Sequence, residues 1–70
     1  MKIRDRERID CAELAGRLRR FADMVESGNV QVRSERVPVG GEVEYEVALE
    51  EDRGRGKLEI EAKWRQATPE

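Results

Sequence analysis

The sequence predicts an α+β fold: one amphipathic helix over residues 10 to 27 packed on a four-stranded, mostly antiparallel sheet, in the order β-α-β-β-β. Three observations predict it. Apolar residues recur at helical spacing between residues 10 and 27. Two later segments, 42 to 50 and 57 to 65, alternate apolar and polar with period two. A short run containing Gly54 and Gly56 separates those two segments, as a hairpin turn requires.

The helix has a start, a face and a stop. Asp10 suits the N-cap, and Glu13 three residues on completes a capping-box pattern. Cys11, Leu14, Ala15, Leu18, Phe21, Ala22 and Val25 share one face, while Arg17, Arg19, Arg20, Asp23 and Glu26 lie elsewhere around the axis. Gly28 stands where a left-handed residue ends a helix.

The hairpin has a register. Centred on residues 51 to 56, read as a flexible turn, it sets Leu49 opposite Leu58, Val47 opposite Ile60, Tyr45 opposite Ala62 and Val43 opposite Trp64. A one-residue slip would turn one apolar row outward, so the register is well specified. The same alignment pairs Glu42 with Arg65, Glu44 with Lys63 and Glu50 with Lys57, but it sets Glu46 against Glu61. Like charges directly opposite are destabilising. A basic neighbouring row is therefore expected, and Lys2, Arg4, Arg6 and Arg8 share one parity in an N-terminal strand. Val30 and Val32 mark a short strand after the helix. Val37-Pro38-Val39-Gly40-Gly41 reads as an irregular approach to the hairpin, because Pro38 cannot donate to a central ladder. One domain over residues 1 to 66 and a frayed tail over 67 to 70 complete the expectation. The core residues are Leu14, Leu18, Phe21, Val25, Val43, Tyr45, Val47, Ile60 and Trp64.

Composition narrows the function classes. Seventy residues bury a thin core, and chains this short often need a disulfide, a metal or a partner. Cys11 is the single cysteine and there is no histidine, so an internal disulfide is excluded, and a zinc site needing about four Cys or His ligands lacks donors. Association is the remaining staple, and a homodimer or an unknown protein partner is expected. Charged residues make up 43% and the net charge is −2, with signs mixed. No global field attracts nucleic acid or an anionic membrane. No apolar run is long enough to span a bilayer. Residues 1 to 6 lack the apolar stretch of a signal peptide, and a cytoplasmic location is expected.

The segment Lys57-Leu58-Glu59-Ile60-Glu61-Ala62-Lys63-Trp64 is a strongly amphipathic strand ending in tryptophan. With a helix closing on Glu26-Ser27-Gly28 and short valine-bearing strands before it, the chain resembles the amphi-Trp domain, a small prokaryotic family, over nearly its whole length. The resemblance implies the fold and no established biochemical activity.

Candidate sites are few. Trp64 suits an anchor at an interface, although its place in the apolar row favours a core role. Cys11 lies in the first helical turn, but a nucleophile needs a base, and the sequence lacks the commonest one. A small buried side chain is the better reading. Arg17, Arg19 and Arg20, with Arg4, Arg6 and Arg8, form the basic clusters. Arginine forks suit phosphate, yet the aromatic platforms of single-strand binders are missing. Pairing with nearby acids is the favoured reading, and nucleic-acid binding the alternative. No catalytic, cofactor-binding or metal-ligating residue can be picked, and no cofactor or small-molecule ligand is expected. The possible interaction residues are Trp64, Arg17, Arg20, Arg4 and Arg6. The leading expectation is a non-catalytic interaction or self-association module.

Overall fold

A computed structural model describes residues 1–65 of the chain. It is α+β, with one helix and four antiparallel strands: α1 (Cys11–Ser27), β1 (Asn29–Val32), β2 (Glu35–Pro38), β3 (Val43–Asp52) and β4 (Arg55–Trp64). The single four-stranded sheet expected from sequence is corrected: the strands form two separate two-stranded sheets, β1 with β2 and β3 with β4. The chain divides into two compact units, residues 1–39 and residues 40–70.

In the first unit, α1 begins as its sequence dictates. Asp10 is extended at φ −86° and ψ 175°, and its carboxylate accepts a hydrogen bond from the Glu13 backbone N–H at 2.8 Å. Such a cap is worth about 1 kcal/mol. The reciprocal half of the capping box is replaced: the Glu13 carboxylate takes hydrogen bonds from Arg17 and Arg20 instead. The helix stops at Gly28, whose φ of 93° lies in the left-handed region, and whose N–H donates to the Met24 and Val25 carbonyls. The Gly28 carbonyl accepts from Val39 N–H at 2.8 Å, tying the helix end to the segment after β2. α1 packs on β1. There the Gln31 backbone N–H reaches the Met24 sulfur at 3.4 Å, while Met24, Val30, Val32 and Val37 are half-buried.

Two expectations are corrected in this unit. Residues 1 to 10 form no strand, so the order is α-β-β-β-β rather than β-α-β-β-β. Acids and bases of the 2–8 segment alternate within a few residues, so neither of its faces is apolar enough to be worth adding to a sheet. The second correction is β2. Val37 and Pro38 lie in a strand rather than an irregular approach, paired antiparallel with Val30 and Asn29. Pro38 stands at the last ladder position, a place where proline is tolerated.

The second unit is the hairpin, and its register is the one expected from Val43 opposite Trp64 to Glu50 opposite Lys57. The flexible turn expected over residues 51 to 56 is corrected: the ladder continues through Glu51 opposite Gly56 and Asp52 opposite Arg55. Arg53 and Gly54 form the two-residue turn, both at positive φ, 52° and 82°. That is the geometry that matches strand twist in tight hairpins. The Glu51 carboxylate accepts from Gly54 N–H at 2.9 Å and braces it. Glu46 does face Glu61. Relief comes within β4 instead of from a basic N-terminal strand: Lys63 Nζ lies 3.3 Å from Glu61, and Lys57 Nζ lies 3.7 Å from Glu59.

The expected core is also corrected. Among the described residues none is buried. Leu14, Leu18, Phe21 and Val25 are between 40% and 50% exposed, and Val43, Tyr45, Val47 and Ile60 are open as well. Trp64 is half-buried. Period-two and helical patterns identify faces that need cover; they do not identify what covers them. The expected tail, residues 67 to 70, lies outside the described residues.

Candidate functional site

Arginine chemistry organises the surface of the first unit. Arg17 lies one helical turn after Glu13, so its Nε reaches that carboxylate at 3.1 Å. The two terminal nitrogens of the same guanidinium fork the Glu7 carboxylate, at 2.6 Å and 3.3 Å. A bidentate fork of this kind fixes orientation as well as distance. Arg20 adds a second contact to Glu13 at 3.2 Å. Arg33 reaches Asp5 at 3.4 Å. The acids that made an N-terminal strand awkward are therefore the groups that tie this arm to the helix and to the β1–β2 turn.

All of these residues except Glu7 line an open groove of about 710 Å³. Its lining combines apolar Ile3, Phe21, Met24 and Val32 with Arg4, Arg17, Arg20 and Arg33 and with Asp5 and Glu13. Of the residues proposed from sequence, the groove brings together Arg4, Arg17 and Arg20. Arg6 is not part of the lining, and Trp64 belongs to the hairpin unit, at the end of β4. Arg33 and Phe21 were missed as groove residues. Arg33 sits at φ 56° in the β1–β2 turn, and no local pattern announces that a turn arginine meets Asp5.

The electrostatics follow from the fork. The Arg17 hydrogen bonds and its positive charge hold the Glu7 carboxyl below the usual carboxylate range. Glu7 and Glu13 raise Arg17 further above its ordinary value. A carboxylate with a lowered folded-state pKa contributes stability that is present above its unfolded value. That contribution is lost as pH falls through the folded value. Arg17→Gln should return the Glu7 titration to the ordinary range near 4.5. Carboxyl-detected NMR measures this; an unchanged Glu7 titration would mean that the fork does not persist in solution.

Cys11 is exposed, against the expectation of a small buried side chain. Among the described residues no cluster of three or more acids, cysteines or histidines is placed to hold a metal ion. No helix there is long and apolar enough to cross a membrane.

The hairpin presents a different kind of surface. One face of β3–β4 carries Val43, Tyr45, Val47, Leu49, Leu58, Ile60, Ala62 and Trp64, and the other carries the glutamates and lysines. Tyr45 is 69% exposed and Leu49 79%. Comparison with protein-family models, with curated proteins and with solved structures gives no match.

Proposed function

We propose that this chain is a small non-catalytic interaction module that self-associates through its apolar faces. The observation that carries the proposal is the exposed, strictly periodic apolar face of the β3–β4 hairpin, a two-stranded unit with no buried residue among those described. A lone two-stranded hairpin is marginal in water, and further strands or a packed helix make it stable. With no internal disulfide possible, a partner surface is the staple that fits the sequence.

The nucleic-acid alternative finds less support. Arg17, Arg20 and Arg33 are engaged by Glu7, Glu13 and Asp5, and phosphate would have to displace those carboxylates. The test of the leading proposal is the solution mass by light scattering after size exclusion, at low and high salt. A dimer or larger species at both salts is expected, because an apolar interface is not screened. A monomer at both salts, with native circular dichroism, would sink it.

A further inference from the structure

The N-terminal arm, residues 1 to 10, belongs to the unit of residues 1–39 and is held there by side chains. It forms neither helix nor strand. Among the described residues its one hydrogen bond between backbone groups runs from Leu14 N–H to the Asp10 carbonyl, at the start of α1. Three side chains of one parity make the attachment. Ile3 joins Phe21, Met24 and Val32 in the groove lining. Asp5 takes Arg33 at 3.4 Å, and Glu7 takes the Arg17 fork at 2.6 Å and 3.3 Å. The two anchors stand on different elements, the β1–β2 turn and α1.

This hold is weak by nature. Both ion pairs are exposed to water. Exposed pairs contribute about 0.2–1 kcal/mol each, and no backbone ladder reinforces them. An arm held this way can be displaced by a segment that makes the same contacts.

The groups the arm engages suit such a segment. Without Ile3, Arg4 and Asp5, the lining keeps three arginines, Arg17, Arg20 and Arg33, against one acid, Glu13. Guanidinium forks recognise carboxylates with defined geometry. Phe21, Met24 and Val32 add apolar surface to the same lining. A bare anion would satisfy the forks and leave that surface uncovered. A peptide with an apolar residue followed by acids two and four positions on, as in Ile3, Asp5 and Glu7, meets both.

We propose that this groove binds an acidic segment of a partner protein with that spacing, and that the arm is its built-in competitor. Bound to its own unit, the arm stands in for the partner segment, which binds when the arm lifts. The apparent affinity is then reduced by the fraction of chains whose arm is released. The site lies wholly within residues 1–39 and does not depend on self-association.

The probe is a blocked, fluorescent peptide of residues 2–8, Lys-Ile-Arg-Asp-Arg-Glu-Arg, titrated with the full chain and followed by anisotropy. Asp5→Asn with Glu7→Gln in the chain weakens the arm and should tighten peptide binding by roughly tenfold. The same two changes in the peptide should abolish binding. Both results oppose plain charge attraction. The peptide carries four bases and two acids, and the chain has a net charge of −2. Neutralising two acids of the chain would weaken that attraction, and neutralising those of the peptide would strengthen it. Equal affinity for the wild type and the double variant, binding to neither, or tighter binding of the acid-free peptide overturns the proposal. Arg33→Gln added to the double variant should weaken the peptide roughly fivefold; full affinity there would move the site elsewhere. Inorganic phosphate that displaces the peptide at equal concentration would reduce the groove to a simple anion site. In the wild-type chain, where no substitution disturbs folding, NMR order parameters of residues 3–7 should fall as salt rises to about 1 M. Order that ignores salt contradicts a charge-held arm.

Discussion

Ile60→Asp should lower the association constant by roughly 100-fold or more, about 2.8 kcal/mol. Ile60 stands opposite Val47 near the middle of the hairpin, in the centre of the apolar face. Burying an isoleucine contributes about 1.5–3 kcal/mol. A carboxylate in its place adds the cost of desolvating a charge with no partner. Ile60 is 54% exposed, so association adds only about half of that burial at each of the two positions of a two-fold assembly, and the unpaired carboxylate supplies the rest of the stated loss. The control is one residue away: Glu61 lies on the opposite face, and Glu61→Gln should leave the mass unchanged. Sedimentation equilibrium on both variants reads the difference. Equal loss from both substitutions would mean that the charged face, rather than the apolar one, makes the contact.

Gly54→Val should destabilise the hairpin by about 1–2 kcal/mol or more. Gly54 has φ 82°, in the region that excludes branched side chains. A Cβ there would meet no atom within 4 Å, so the cost is conformational and not a clash. The whole ten-pair ladder hangs on this turn, and a displaced turn would slip the register and send the apolar row to the wrong face. Arg53 occupies the other positive-φ position, at 52°. Asparagine tolerates that conformation better, so Arg53→Asn should shift stability the other way, by a few tenths of a kcal/mol. Urea unfolding of the three chains checks the signs. A neutral Gly54→Val would mean that the turn does not hold this geometry in solution.

What the sequence made legible, and what it did not, follows the range of the forces involved. The helix was readable because its signals are local: Asp10 caps, Gly28 terminates, and the stripe repeats between them. The hairpin register was readable because period-two alternation on both strands and a Gly-bearing turn admit one alignment. The N-terminal strand was not there to be read. Its inference rested on the Glu46–Glu61 clash, which Lys63 relieves from within β4. The same arm holds to the first unit through Glu7 and Asp5, by pairings ten and 28 residues apart that no periodicity encodes. β2 was hidden because Pro38 argues against a central strand, and this strand needs to serve only a two-stranded ladder. Of the candidate site, the pairing of Arg17 and Arg20 with nearby acids was expected, but Glu7 and Glu13 were not picked as those acids. The groove was not legible, because Ile3 and Arg33 reach it from distant parts of the chain.

The central claim is that a second copy helps to bury the apolar face of the hairpin. The thermal midpoint as a function of protein concentration tests it most directly, because folding coupled to association follows mass action. The account predicts that Tm rises by roughly 10 °C or more over about a thousandfold increase in concentration, in one cooperative transition. A Tm that stays constant across that range would contradict it, and would show that the chain is stable alone.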